Sequence, residues 1–136
     1  MLKKIPPCLS PALVKALMEM GEGEDLLLAE RNFPSDARAV RQDGLTVPAL
    51  LEAVLELFPL DGRVLAATVR ARDEGEPAPA VWDVLSRTIT ASQEPFTELD
   101  RLETYAFDNR CARARCVVIT GDADPDASIL LTKGRI

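Results

Sequence analysis

Residues 20–34 read Met20-Gly21-Glu22-Gly23-Glu24-Asp25-Leu26-Leu27-Leu28-Ala29-Glu30-Arg31-Asn32-Phe33-Pro34. This stretch predicts that a helix stops at a left-handed Gly21 and that an acidic turn follows. The apolar residues 26–29 predict a strand, and because they do not alternate with polar residues, both faces of the strand should be buried. Glu30 to Asn32 come next, and Phe33-Pro34 turns the chain away. Polar groups therefore flank a buried strand, as they do at ligand sites of open α/β sheets.

Length and composition favour a single domain over residues 1–136, with 47% hydrophobic residues to build its core. The net charge of −6 without a basic stripe argues against a nucleic-acid partner and against an anionic membrane surface. No apolar run approaches the ~20 residues that span a bilayer, and Pro6-Pro7-Cys8 follows Lys3-Lys4 where a signal peptide would be apolar. We therefore expect a cytoplasmic protein. Three cysteines in no zinc pattern, in a chain without His, argue against a metal site.

Helix and strand patterns alternate along the chain. Ser10-Pro11 and Thr46, with Pro48 in the first turn, predict the starts of two amphipathic helices. The alternation favours a layered α/β fold over an all-β fold. The other predicted elements are a loop at 35–44, strands at 64–69, 99–104, 116–120 and 128–132, and helices at 81–89 and 105–114, with 90–97 ambiguous.

Ordered motifs extend over nearly the whole chain: Ser10 to Gly21, Gly23, Phe33-Pro34, Arg41, Asp43-Gly44-Leu45, Val47 through Leu60-Asp61, Phe107, Arg110, Ala112, Val118-Ile119-Thr120-Gly121, Ile129-Leu130-Leu131 and Lys133-Gly134. In this combination the sequence resembles the ribose pyranase / fucose mutarotase (RbsD/FucU-like) family. Asn32-Phe33-Pro34 and Leu57-Phe58-Pro59-Leu60-Asp61 bring it nearer to the fucose mutarotase branch. The resemblance implies a three-layer α/β/α fold with a mixed six-stranded sheet and a homo-oligomeric ring, often a decamer. It also implies that a free monosaccharide is converted between anomers or ring forms without a cofactor.

The pocket implied by the resemblance is where this chain departs from the family. Glu22 stands where the family has its catalytic His, between Gly21 and Gly23. Glu30 replaces an Asp at the end of the first strand, whereas Asn32 matches the fucose branch. By this correspondence Glu22 is the catalytic candidate, and Glu30 and Asn32 are substrate-binding candidates.

Further departures lie in the second half of the chain. Thr104 replaces an Arg, Asp108 a Tyr and Asn109 a Glu, whereas Arg110 is kept. Asp126-Ala127-Ser128 replaces the family's Tyr-Gly-Asn. The resemblance makes substrate-binding candidates of Thr104, Arg110, Asp126 and Ser128.

Mutarotation needs a base at the anomeric hydroxyl and an acid at the ring oxygen. A carboxylate can take this role if burial or a neighbouring like charge raises its pKa. Crowding by Glu24, Asp25 and Glu30 would favour the protonated form of Glu22. The alternative is that Glu22 is a solvated turn carboxylate. Arg110 is either a sugar ligand or the partner of a structural ion pair with Asp108 or Glu103.

Asp122, Asp124, Asp126 and Ser128 alternate like the first half of a calcium loop, but Ala127 and Lys133 occupy the positions of its Gly and its closing acid. A solvated hairpin, or a loop that reaches a neighbouring subunit, is the favoured interpretation. Three functional hypotheses follow: a monosaccharide mutarotase, a non-catalytic sugar-binding protein, and an oligomeric structural protein.

Overall fold

The computed structural model describes residues 2–34 and 38–136. These residues form four helices and a mixed six-stranded sheet with the strand order β2-β5-β1-β6-β3-β4. The elements are α1 (Pro11–Glu19), β1 (Asp25–Ala29), β2 (Ala39–Gln42), α2 (Val47–Leu55), β3 (Ala67–Arg70), α3 (Ala80–Ala91), β4 (Asp100–Leu102), α4 (Thr104–Ala112), β5 (Cys116–Thr120) and β6 (Ile129–Thr132).

Two hydrophobic clusters on opposite faces of the sheet produce the three layers. Alternate residues of β1 divide between them, because successive side chains of a strand point to opposite faces. Leu26 and Leu28 belong to the larger cluster, which contains the buried side chains of α1, α2 and α3. Leu27 and Ala29 belong to the smaller cluster, which lies under α4. The expected three-layer α/β/α fold with a mixed six-stranded sheet is confirmed.

The predicted starts of the first two helices are confirmed by their caps. The Ser10 hydroxyl accepts the Leu13 N–H at 3.2 Å, and the Thr46 hydroxyl accepts the Ala49 N–H at 3.3 Å. These bonds satisfy donors that have no partner within a helix. A carboxylate oxygen of Asp122 adds a second bond at the start of α2, to Val47 N at 2.9 Å.

The end of the first helix differs from the prediction. Gly21 is not left-handed; the positive φ of this turn is at Gly23, with 85°. Helix α1 ends at Glu19, and Met20 is already extended. The Lys133 ammonium donates to the carbonyls of Leu17 and Met20 at 2.9 and 2.6 Å, so a side chain from the C-terminal segment satisfies the helix end.

The prediction of a loop over residues 35–44 was wrong for residues 39–42, whereas the turn predicted at Asp43-Gly44 is confirmed. Residues 39–42 form β2, which pairs in parallel with β5. This strand is at the edge of the sheet and contains Arg41 and Gln42, so it lacks the apolar signal of a buried strand. Residues 35–37 lie outside the described part of the chain. None of the described helices is long and apolar enough to cross a membrane.

Candidate functional site

Most of the predicted substrate-binding residues lie at one end of the sheet, where five of the strands end. Strands β1, β2, β3, β4 and β5 run in the same direction and end at this edge, while β6 begins there. Glu30 and Asn32 follow β1, Thr104 follows β4, and Asp126 and Ser128 precede β6. We call this end of the sheet, where the carboxyl ends of these five strands lie, the carboxyl edge.

Glu30, Asn32 and Ser128 form a connected polar group at the carboxyl edge. The Glu30 N–H donates to the Ser128 hydroxyl oxygen at 3.0 Å, and the Asn32 N–H donates to Glu30 Oε2 at 2.7 Å. The Arg31 N–H donates to the Asp122 carbonyl at 2.8 Å, which ties the end of β1 to the loop after β5. Asn32 is exposed and Glu30 is half-buried. Both hydrogen bonds have backbone N–H donors, so the Ser128 hydroxyl and the Glu30 carboxylate fix the backbone at the end of β1.

Asp126 is directed toward the helical layer that contains α3. Its carboxylate pairs with Arg72 at 2.8 Å, and its carbonyl accepts the Trp82 indole N–H at 3.2 Å. Arg72 also pairs with Glu76. Trp82 is buried, with the Arg101 guanidinium 4.9 Å from its ring centroid. Asp126 thus has protein partners for both its carboxylate and its carbonyl.

A cleft of about 440 Å³ opens on the α4 face beside Phe33-Pro34. Arg70, at the end of β3, pairs with Asp108 at 2.5 Å, and its guanidinium lies 5.1 Å from the centroid of the Phe107 ring. Sequence reasoning missed Arg70; its position at the end of a predicted strand was the available signal. The cleft is lined by Phe33, Pro34, Arg38, Arg70, Asp108, Cys111, Ala112 and Val117.

The lining of this cleft combines apolar and charged groups, and the start of α4 lies outside it. Burial raises the pKa of the Cys111 thiol to about 12, so the side chain behaves as a neutral apolar group. Thr104 is the first residue of α4 and is exposed. Glu103 caps that helix by accepting the N–H groups of Tyr105 and Ala106 at 3.0 and 2.7 Å. The charged side chains of Arg38, Arg70 and Asp108 thus line the cleft together with apolar groups and a neutral thiol.

Glu22 lies at the opposite edge of the sheet. Its carboxylate contacts Arg63 at 2.6 Å and Arg135 at 3.3 Å. Strand β1 separates it from Glu30, and the strand's five residues span about 13 Å. Within one copy of the chain, the structure therefore does not bring the catalytic candidate together with Glu30.

The expected crowding of Glu22 by carboxylates is also corrected. Glu24 accepts the Gly21 N–H at 2.6 Å, and Asp25 is engaged by Arg110. The charged groups that the structure pairs with Glu22 are arginines from distant parts of the chain, separated from it by 41 and 113 residues. Sequence proximity indicated the wrong neighbours because the fold brings these cations to the turn.

Arg110 forms a structural network under α4, and its ion-pair partner is Asp25 rather than Asp108 or Glu103. Its Nε and Nη2 donate to the Asp25 carboxylate at 3.1–3.2 Å. It also donates to the hydroxyls of Thr68 and Thr132, at 3.2 and 3.3 Å, and Thr132 donates to Asp25 at 2.7 Å. Most guanidinium donors are satisfied inside the protein.

Two carboxylates of the acidic loop accept hydrogen bonds from the backbone of the loop itself. Asp122 accepts the N–H of Asp124, and Asp124 accepts the N–H of Asp126, each at 2.9 Å. These are Asx turns, which fix loop geometry without an ion. Among the described residues, no cluster of three or more His, Cys, Asp or Glu side chains is arranged to hold a metal ion.

Comparison with known proteins relates this chain to one protein family and to solved structures with the same fold. Residues 3–136 match the RbsD / FucU transport protein family. The fucose mutarotase of Streptococcus pneumoniae, solved with L-fucose, is 34% identical, with a TM-score of 0.91 over 99% of each chain. FucU from Bifidobacterium longum is 34% identical, with a TM-score of 0.89 over 98% of this chain and 99% of its own. RbsD of Bacillus subtilis, solved with D-ribose, is 16% identical with a TM-score of 0.74 over 94% of this chain and 95% of its own; it shares the fold.

Proposed function

Because the chain belongs to the RbsD/FucU family, we propose that it binds a free monosaccharide and interconverts its anomers or ring forms without a cofactor. The observation that carries the proposal is the hydrogen-bonded group of Glu30, Asn32 and Ser128 at the carboxyl edge, from which the chain continues into Phe33 and Pro34 of the 440 Å³ cleft. This arrangement occurs in a chain 34% identical to a fucose mutarotase over 99% of both sequences. Carboxylate, amide and hydroxyl groups are suited to the hydroxyls of a sugar.

The proposed reaction requires proton transfer at two oxygen atoms. A base takes the proton from the anomeric hydroxyl, the bond from the anomeric carbon to the ring oxygen breaks, and the ring oxygen takes up a proton. The open-chain carbonyl then rotates, and the same steps in reverse close the ring on its other face. We assign the base to Glu22, whose carboxylate can accept the first proton. Glu30, Asn32 and Ser128 would hold the sugar while the ring opens.

A site that uses both Glu22 and Glu30 requires two copies of the chain. About 13 Å of strand lies between them, whereas a catalytic group must come within hydrogen-bonding distance of its proton. We therefore propose a closed homo-oligomeric ring, with a decamer as one candidate size, in which the Glu22 turn of one copy faces the carboxyl edge of the next. Repeated head-to-tail contacts of this kind generate rings when their rotation closes.

The other site residues that the sequence predicted differ in how well the structure supports a contact with the sugar. Thr104 and Asp126 flank the carboxyl edge and stay predicted sugar contacts. Arg110 stays a prediction as well, but its bonds to Asp25 support a structural role. A cytoplasmic location, and the lack of nucleic-acid and membrane partners, likewise stay predictions.

The second candidate function is sugar binding without turnover. It is favoured by the ion pairs of Glu22, the proposed base, because Arg63 and Arg135 each contact one of its two carboxylate oxygens. It is also favoured by Asp108, which pairs with Arg70. In this alternative the carboxyl edge would still hold a monosaccharide. No proton would then be taken from the anomeric hydroxyl.

Saturation-transfer NMR on free monosaccharides separates the two functions. Each sugar of a panel that includes L-fucose and D-ribose is irradiated at one anomeric proton, and the transfer to the other anomer is measured with and without protein. The proposal predicts faster exchange for at least one sugar. Ligand-observed binding without faster exchange would establish the second function, and neither binding nor exchange would contradict both.

A further inference from the structure

The carboxylate of Glu22 is held from two sides by guanidinium groups. Arg63 Nη2 donates to Oε1 at 2.6 Å, and Arg135 Nε donates to Oε2 at the longer distance of 3.3 Å. The Arg135 side chain is 78% exposed, whereas that of Glu22 is 33% exposed. The contact with Arg63 is therefore the shorter one, and it is the contact that fixes the carboxylate more closely.

Arg63 is itself oriented by a buried carboxylate. Asp61 Oδ1 accepts the Arg63 backbone N–H at 2.8 Å and its Nε at 3.3 Å, and Oδ2 accepts Nη2 at 3.4 Å. Asp61 is only 7% exposed. The backbone and side-chain hydrogen bonds from Arg63 lower the pKa of Asp61, which keeps this carboxyl ionised at neutral pH.

The backbone under this chain of contacts is fixed by the C-terminal segment. The Asp61 N–H donates to the Thr132 carbonyl at 3.1 Å, and the Gly134 N–H donates to the Pro59 carbonyl at 2.8 Å. On the other side, the Gly23 N–H donates to the Lys133 carbonyl at 2.8 Å. The segment that contains Asp61 and the turn that contains Glu22 are thus attached to neighbouring residues of one segment, 132–134.

We propose that Asp61 and Arg63 are positioning residues for Glu22: Asp61 orients the Arg63 guanidinium, and Arg63 fixes the direction of the Glu22 carboxylate. The catalytic part of this proposal rests on the proposed function. The neighbouring charges support it, because Glu24 is turned toward Gly21 N and toward Arg115 at 3.9 Å. The other cation near the turn, Lys133, donates to helix carbonyls instead of to Glu22.

The test is the mobility of the Glu22 side chain, measured by carbon-13 relaxation NMR in the full-length protein, with Glu22→Gln to assign the signal. Arg63→Gln removes the 2.6 Å contact and should lower the order parameter of the Glu22 side chain, because one of its carboxylate oxygens loses its partner. Arg63→Lys should restore part of this order, and Asp61→Asn should lower it as well, because Asp61 orients the guanidinium. The matched control is Arg87→Gln, which removes an exposed arginine paired with Asp83 on α3 and should leave the order parameter of Glu22 unchanged.

Kinetics complete the test. If anomer exchange is measurable, Arg63→Gln should lower kcat while KM for the sugar stays near that of the native protein, and Arg63→Lys should recover part of kcat. An unchanged order parameter in Arg63→Gln would overturn the proposal even in an active protein. A lower order parameter without any exchange would support the positioning of Glu22 and reject the catalytic function.

Discussion

Replacing Arg110 with Met should destabilise the protein without removing a sugar contact. Methionine keeps the apolar stem that packs under α4 but leaves Asp25 without its guanidinium partner. The side chains of Arg110 and Asp25 are 24% and 20% exposed, so the pair is mostly buried. Removing one partner therefore leaves a charge in a poorly solvated place, with only the Thr132 hydroxyl to bind it.

The magnitude follows from this burial. Breaking a fully buried pair costs about 3–5 kcal/mol, and the residual exposure of this pair reduces the cost to about 2–3 kcal/mol. In a domain of this size, 1 kcal/mol corresponds to about 3–4 °C in Tm, so we expect Tm to fall by about 6–12 °C.

Urea unfolding followed by circular dichroism, at one fixed protomer concentration, measures this effect. The matched control is Lys15→Ala, which removes the exposed pair with Glu19 and should cost less than about 1 kcal/mol. A double-mutant cycle with Asp25→Asn should give a coupling energy above about 1 kcal/mol. Unchanged stability combined with lost sugar binding would refute the structural role and return Arg110 to the ligand site.

Four further outcomes are expected. Gly134→Ala should lower stability by about 1–3 kcal/mol in urea unfolding, because the new methyl group would lie 2.4 Å from a backbone carbonyl oxygen; unchanged stability would contradict the close packing of the C-terminal segment. Burial raises the pKa of the Cys111 thiol from 9.0 to about 12, so the unfolded chain loses the thiol proton at a lower pH than the native protein does. The contribution of this thiol to stability should therefore be complete below pH 9 and disappear as pH rises toward 12. In the native protein at pH 8, a thiol reagent should modify exposed Cys8 and spare Cys111, and equal rates would contradict that burial. Co-expressed Glu22→Gln and Glu30→Gln chains should regain part of the anomer-exchange activity that each variant lacks alone, whereas no recovery in mixed oligomers would argue against a site shared between copies.

The parts of the fold that local sequence predicted are those with strong local signals. The apolar runs of β1 and β5 and the caps at Ser10 and Thr46 specify their elements without help from the rest of the chain. Strand β2 was missed because an edge strand with Arg41 and Gln42 differs little from a loop in composition.

The contacts that were mispredicted all depend on residues distant in sequence. Lys133 caps the end of α1 from 113 and 116 residues away, which removes the need for a left-handed Gly21. Arg110 pairs across 85 residues with Asp25 rather than with a neighbour on its own helix. Periodicity and spacing describe local structure, whereas these partners are determined by the order of strands in the sheet.

The most direct test of the central claim is the anomer-exchange rate of Glu22→Gln on a sugar that the native protein converts. Glutamine preserves the size of the side chain but cannot take the anomeric proton. We predict a rate loss of roughly 10²- to 10⁴-fold while sugar affinity stays near that of the native protein. An undiminished rate in this variant would show that Glu22 is not the base, and would contradict the account.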